Sequence, residues 1–128
     1  VIPNWLDLDR VAITGPPKSG KTTLSGLVTD RPVFHTDDWI DLPWKDIPVA
    51  ILGATQHLDR FVVEGIQVPR AIKRGLEVDV ILVLDEPYIP LSKAQWGLWN
   101  NVKETLYTSS LVGIVHHLHS ATGNGDHQ

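Results

Sequence analysis

The 128-residue chain has no cysteine, which excludes a disulfide framework and any thiolate metal site. That lack suits a reducing compartment, and a cytoplasmic location is the expectation. Methionine is missing too, even at position 1, which reads as a processed or trimmed start. No apolar run approaches the roughly 18 residues that a transmembrane helix needs, so no membrane association is expected. Residues 1–10 are too polar and broken for a secretory signal. A basic excess is also lacking: 11 Lys and Arg face 15 Asp and Glu, a formal charge of −4. Tight nonspecific binding of duplex nucleic acid calls for a basic surface, so this balance argues against it. Arg60, Arg70, Lys73 and Arg74 form either a local basic cleft or a solvated face. With 42% hydrophobic residues there is enough material for a core. The expectation is a single domain over residues 1–120, with residues 121–128 as a disordered tail.

What is present begins at residue 15. Gly15-Pro16-Pro17-Lys18-Ser19-Gly20-Lys21-Thr22 is the G-x-x-x-x-G-K-[ST] phosphate-binding loop. Its context fits: Val11-Ala12-Ile13-Thr14 is a β-branched run able to enter as a buried strand, and Thr23 to Val28 can continue as a helix. Gly15 and Gly20 let the backbone curl so that N–H groups point inward at phosphate oxygens. Lys21 then reaches the β/γ-phosphates of ATP, and the Thr22 hydroxyl ligates Mg²⁺. Pro16, Pro17, Lys18, Ser19 and Thr23 complete the nucleotide-binding set, with Lys18 placed for the terminal phosphate.

The rest alternates strands and helices, the pattern of a parallel α/β sheet. Strands are expected at residues 10–14, 33–36, 60–64 and 78–84, the last an almost unbroken apolar run of the kind buried on both faces. Helices are expected at 21–29, at 47–58 with Asp46 as N-cap and Pro48 in its first turn, and at 69–75. A last helix starts at Ser92, which has capping-box spacing to Gln95, and runs to Leu106 or beyond. Residues 111–115 read as a fifth strand or as more helix.

Ligands of open α/β sheets sit beyond the carboxyl ends of the strands. That rule gathers the phosphate loop, Asp37-Asp38, Glu64 and Asp85-Glu86 on one rim. Phosphoryl transfer needs an acid near Mg²⁺ and another that orients or deprotonates the attacking hydroxyl. Asp37 or Asp38 suits the second task, with an N-cap and turn pair as the plainer alternative. Glu64, before the turn-forming Gly65, and Asp85, after the apolar run, both remain open as the magnesium acid. Trp39 and Trp44 flank the acceptor side, to stack on a ring or to pack in the core. His35 reads as strand packing, and His116-His117-x-His119 as a weak metal motif.

Over residues 9–110 the chain resembles small P-loop kinases of the nucleoside/nucleotide kinase group. The resemblance rests on the loop through Thr23, on Phe34-His35-Thr36-Asp37-Asp38-Trp39, and on Phe61-Val62-Val63-Glu64-Gly65 with Pro69-Arg70 following. It implies a three-layer P-loop NTPase fold with a parallel sheet of about five strands and the loop strand central. It also implies ATP and Mg²⁺ as cofactors and a hydroxyl acceptor: a nucleoside, a nucleotide or a nucleic acid. By that likeness Asp37 is the base, Glu64 the Walker-B-type acid, and Arg70 an acceptor-side or phosphate contact. The Asp pair is also similar to that of polynucleotide kinases, and the compactness to that of phage-encoded P-loop kinases. The chain departs from the group at the lid: residues 91–107 contain no arginine, only Lys93 and Lys103 with Trp96 and Trp99 between. A lysine then does the lid's work, or a partner in a homodimer supplies an arginine, or catalysis is slow. Ile66-Gln67-Val68 also separates Gly65 from Pro69-Arg70.

Two rival readings stand beside the kinase. Ile81-Leu82-Val83-Leu84-Asp85-Glu86-Pro87 is similar to the Walker B of transporter-type ATPases, but a signature-like segment comes after it rather than before it. A guanine-recognition motif is absent. A nucleotide-binding regulatory or assembly module with little turnover would keep the loop and have no need of Asp37.

Overall fold

In the computed structural model, which describes residues 4–107 and 114–118, five strands make one parallel sheet. They are β1 (Arg10–Thr14), β2 (Val33–His35), β3 (Phe61–Glu64), β4 (Val80–Leu84) and β5 (Val115–Leu118), in the order β2-β3-β1-β4-β5. The phosphate-loop strand β1 is therefore central, paired in parallel with β3 on one side and β4 on the other. The helices are α1 (Lys21–Ser25), α2 (Ile47–Thr55), α3 (Val68–Lys73) and α4 (Lys93–Lys103).

The residues of β1, β3 and β4 alternate between two cores, as a sheet covered on both faces requires. Ala12, Phe61, Val63, Ile81 and Val83 face α2, α3 and α4, which contribute Ile51, Val68, Ala71, Trp99 and Val102. Val11, Ile13, Val62, Val80 and Leu82 face the other way, onto Leu24 and Val28, with Trp5 and Leu8 of the N-terminal turn at the margin. Helix, sheet and helix make the three layers.

Several elements differ in extent from the sequence expectation. α1 stops at Ser25, where the Gly26 N–H turns back to the Thr22 carbonyl at 3.0 Å, and Val28 reaches the core from the turn beyond it. β2 ends at His35, because Thr36 opens a 3-10 helix over Thr36–Trp39. Asp46 stands before α2 but its side chain caps nothing. The 3-10 turn Trp44–Asp46 runs straight into the helix, with Asp46 itself in helical conformation. The fifth strand is Val115–Leu118, and the segment 111–113 lies outside the described residues, as do His119 and residues 121–128. α4 begins where expected, and both halves of the Ser92–Gln95 capping box are formed.

The end of the sheet opposite the strands' carboxyl edge is held by arginines. The Arg31 side chain is 1% exposed. It donates to the carbonyls of Leu6, Leu8 and Asp9 and pairs with Asp30 at 2.9 Å. Arg60 bridges Asp30 and Asp9, each at 3.1 Å. The hydrogen bond from Arg31, helped by the charges of Arg31 and Arg60, holds the Asp30 carboxyl down at about 2. A folded-state value below the ordinary one stabilises the fold above the usual carboxylate range, and that contribution is lost as pH falls through the folded value. Asp30→Asn is expected to unfold at lower urea than the parent chain near neutral pH. The difference should shrink as pH falls from the usual carboxylate range through about 2. A gap that stays constant with pH would contradict this role.

Candidate active site

The loop between β1 and α1 takes its shape from the residues that tolerate left-handed backbone. Gly15 has φ 154°, and a Cβ there would sit 2.4 Å from the Leu84 carbonyl oxygen at the end of β4. Gly20 has φ 93°, and Lys18, at the turn of the loop, has φ 61°. That conformation is costly for a side-chain-bearing residue. It is held from outside: the Tyr88 N–H donates to the Lys18 carbonyl at 2.7 Å. The segment after β4 is thus pinned to the loop.

Lys21 folds back into the loop. Its ammonium donates to the Pro16 carbonyl at 2.7 Å and lies 3.5 Å from Ser19 Oγ. Burial pushes its pKa below the ordinary lysine value, while the charges of Glu64 and Asp37 pull it back up. A cation so placed, with one carbonyl and one distant hydroxyl for partners, keeps a donor for phosphate oxygens.

Glu64 closes the other side. It is 4% exposed, and a carboxylate buried so far needs partners. His35 Nδ1 lies 2.5 Å from Glu64 Oε2, and the Thr22 hydroxyl donates to the same oxygen at 3.3 Å. The sheet register brings them together: His35 at the end of β2 is level with Glu64 at the end of β3, and Ile13 of β1 is level with it on the other side. His35 is therefore part of the site rather than plain strand packing. Its signal in the sequence was its place at a strand end, beside the Asp pair.

A cleft of about 460 Å³ opens over these groups. Residues 17–23 of the loop and α1 line one side, while Gly15 and Pro16 are buried beneath them. Across it stands Asp37 from the 3-10 helix, whereas its neighbour Asp38 lies outside the lining. The remaining wall is mostly apolar: Ile40, Leu42 and Ile66 from irregular segments, Trp44 from the 3-10 turn, Ile47 of α2 and Leu98 of α4, with Thr36, Gln67 and Tyr88 among them.

Other candidate residues lie elsewhere. Asp85 is outside the cleft lining and pairs with His117 Nδ1 of β5 at 2.8 Å. Of the two candidate acids, Glu64 is the one brought to Thr22. Arg70 is also outside the lining. Its guanidinium donates to the Trp44 carbonyl at 2.8 Å and to Gln67 Oε1 at 2.9 Å, and lies 4.2 Å over the Trp44 ring. Trp39 stacks on Phe34 at 6.4 Å against the core. Trp99 is buried while Trp96 stays on the surface, so the two have separate surroundings. The segment expected as a lid is α4, anchored in the core through Trp99 and Val102. Among the described residues, no three His, Asp or Glu side chains gather as a metal cage, and no helix is long and apolar enough to cross a membrane.

The chain is similar in structure to shikimate kinase from Acinetobacter baumannii, solved in complex with shikimate. The TM-score is 0.52 at 15% identity, over 88% of this chain and 83% of that one. That likeness shows the fold, a parallel α/β sheet with the loop strand central. No protein-family model matches the sequence, and no curated protein matches it.

A close contact under the cleft gives a direct test of the geometry. Gly65 has φ 146°, and a Cβ there would fall 1.7 Å from Thr36 Oγ1 and 2.7 Å from Thr36 Cβ. Gly65 also accepts from Thr14 Oγ1 at 2.8 Å and donates to the Ile13 carbonyl at 2.9 Å, so its backbone cannot easily withdraw. Gly65→Ala is expected to cost on the order of 2–4 kcal/mol in chemical unfolding. Adding Thr36→Ala should restore part of it, giving a favourable coupling in a double-mutant cycle. Strict additivity would contradict the contact.

Proposed function

We propose that the chain is an ATP-dependent phosphotransferase that moves the γ-phosphoryl of ATP to a hydroxyl of a nucleoside, nucleotide or nucleic-acid acceptor. The observation that carries this reading is that one cleft holds the phosphate loop on one side and Asp37 on the other. ATP phosphates would lie in the loop, with Lys21 exchanging the Pro16 carbonyl for β/γ-phosphate oxygens and Lys18 meeting the terminal phosphate. The acceptor would lie against the apolar wall with its hydroxyl toward Asp37. Asp37 would take the hydroxyl proton as the oxygen attacks the γ-phosphorus and ADP leaves. Catalysis of this kind is mostly positioning and charge stabilisation.

Thr22 and Glu64 are hard oxygen donors 3.3 Å apart and fit Mg²⁺, which keeps waters and takes few protein ligands. When bound there it would offset charge on the phosphates, while His35 keeps Glu64 turned toward Thr22. Asp85 has its own partner in His117 and is the weaker choice.

The test is transfer from γ-labelled ATP to pooled nucleosides, nucleoside monophosphates and single-stranded DNA, with water as control. Asp37→Asn is expected to lower transfer by about 10²–10⁴-fold, the usual contribution of a general base, while ATP binding changes little. An unchanged rate would remove Asp37 from the chemistry. A second reading, a nucleotide-binding module with little turnover, is favoured by one observation: among the described residues no arginine lines the cleft. ATP binding with no label moved, or with free phosphate as the product, would support it.

A further inference from the structure

The acceptor half of the cleft has a charge pattern that selects among alcohols. Its wall is built from Ile40, Leu42, Trp44, Ile47 and Ile66 with the neutral Thr36 and Gln67, and the carboxylates of the lining are Asp37 and Glu64. The approach to it is acidic as well: residues 37–46 carry Asp37, Asp38, Asp41 and Asp46 against Lys45 alone. The cations in the lining, Lys18 and Lys21, both belong to the phosphate loop. Arg70 stands behind Trp44, with its donors directed at Trp44 and Gln67 rather than into the cleft. It lies over the indole and so fixes the ring, which is still 49% exposed at the cleft.

These facts have opposite consequences for anions and for rings. A carboxylate or phosphate on the acceptor would stand among like charges in a partly dehydrated cleft without a cation of its own. Like charges so placed repel strongly. A flat apolar ring, by contrast, would cover exposed Ile, Leu and Trp surface and gain by leaving water. We infer that the acceptor subsite takes an uncharged or cationic, flat, largely apolar alcohol and turns away alcohols that carry a carboxylate or phosphate. The word acceptor rests on the phosphotransferase reading above; the charge selection of the subsite does not. It narrows that reading away from nucleotides and nucleic acids.

The experiment titrates the full chain, loaded with ADP and Mg²⁺ so that nothing turns over, with matched pairs sharing one ring. Thymidine is set against its 5′-monophosphate, and benzyl alcohol against mandelate. The signal is the part of the tryptophan fluorescence change that disappears in Trp44→Phe. The uncharged member of each pair is expected to bind at least about tenfold more tightly, since a modest repulsion already amounts to that factor. The gap should narrow with added salt and in the double variant Asp38→Asn, Asp41→Asn. Equal or tighter binding of the anionic members overturns the inference, and so does the absence of any Trp44-dependent binding by the neutral ones. The same mixtures are then given γ-labelled ATP. Transfer without the charge preference would overturn the inference and leave the kinase reading standing. The preference without transfer would uphold the subsite and sink the kinase reading.

Discussion

Glu64 cannot be buried where it is without partners, and the arrangement of the cleft follows from finding them. A carboxylate taken out of water at a strand end needs hydrogen bonds or a cation. Here the parallel register supplies hydrogen-bonding neighbours. β2 ends on His35 and β1 leads to Thr22 through the loop, so one carboxylate oxygen meets an imidazole and a hydroxyl from two flanking strands. Lys21, held on the Pro16 carbonyl, lies near enough to feel the charges of both Glu64 and Asp37. The next residue, Gly65, tightens the same corner by resting on Thr36. Three segments distant in sequence are thereby fixed at one place.

That corner divides the cleft into halves of different chemistry. On the loop side are curled backbone and two lysines; on the far side are one acid and a wall of aliphatic and indole surface. Under the proposed phosphotransferase reading the division matters, because phosphoryl transfer asks for one environment that welcomes charge and one that holds an alcohol in line. The clasp from Tyr88 to the loop and the placement of Leu98 tie the region after β4 to this geometry. α4 occupies the position at which the resembled kinases carry an arginine-bearing lid, and its burial through Trp99 and Val102 makes it part of the core.

The strands were legible because their chemistry is local. Val11 to Thr14, Phe61 to Glu64 and Val80 to Leu84 are apolar runs ended by a glycine or an acid, and the glycine loop dictates the turn from β1 into a helix. Capping at Ser92 was equally local. The misjudged elements depend on tertiary context. α1 is short because the chain turns at Gly26 to bring Val28 to the core, although residues 26–29 would suit a helix. β5 is an edge strand with two histidines, and nothing in its own pattern separates it from the residues before it. In the site, the loop, Glu64 and Asp37 could be read from strand ends. The pairing of His35 with Glu64 could not, since it depends on register across two strands. The apolar wall was hidden for another reason. Ile40 and Leu42 lie in an irregular segment and Trp44 in a 3-10 turn, with no period to reveal a shared face. That Glu64 rather than Asp85 comes to Thr22 was likewise hidden, because Asp85 instead pairs with His117 of β5.

The central claim is that the phosphate loop and Asp37 work on one reaction across one cleft. A crystal structure of the chain with ADP, Mg²⁺ and a planar fluoride mimic of the moving phosphoryl group tests it most directly. The account predicts the mimic between Lys21 and Asp37, with Asp37 within hydrogen-bond reach of the apical position an acceptor oxygen would take, and Thr22 and Glu64 at the metal. A nucleotide seated in the loop with Asp37 turned to solvent and the apolar wall collapsed would contradict it.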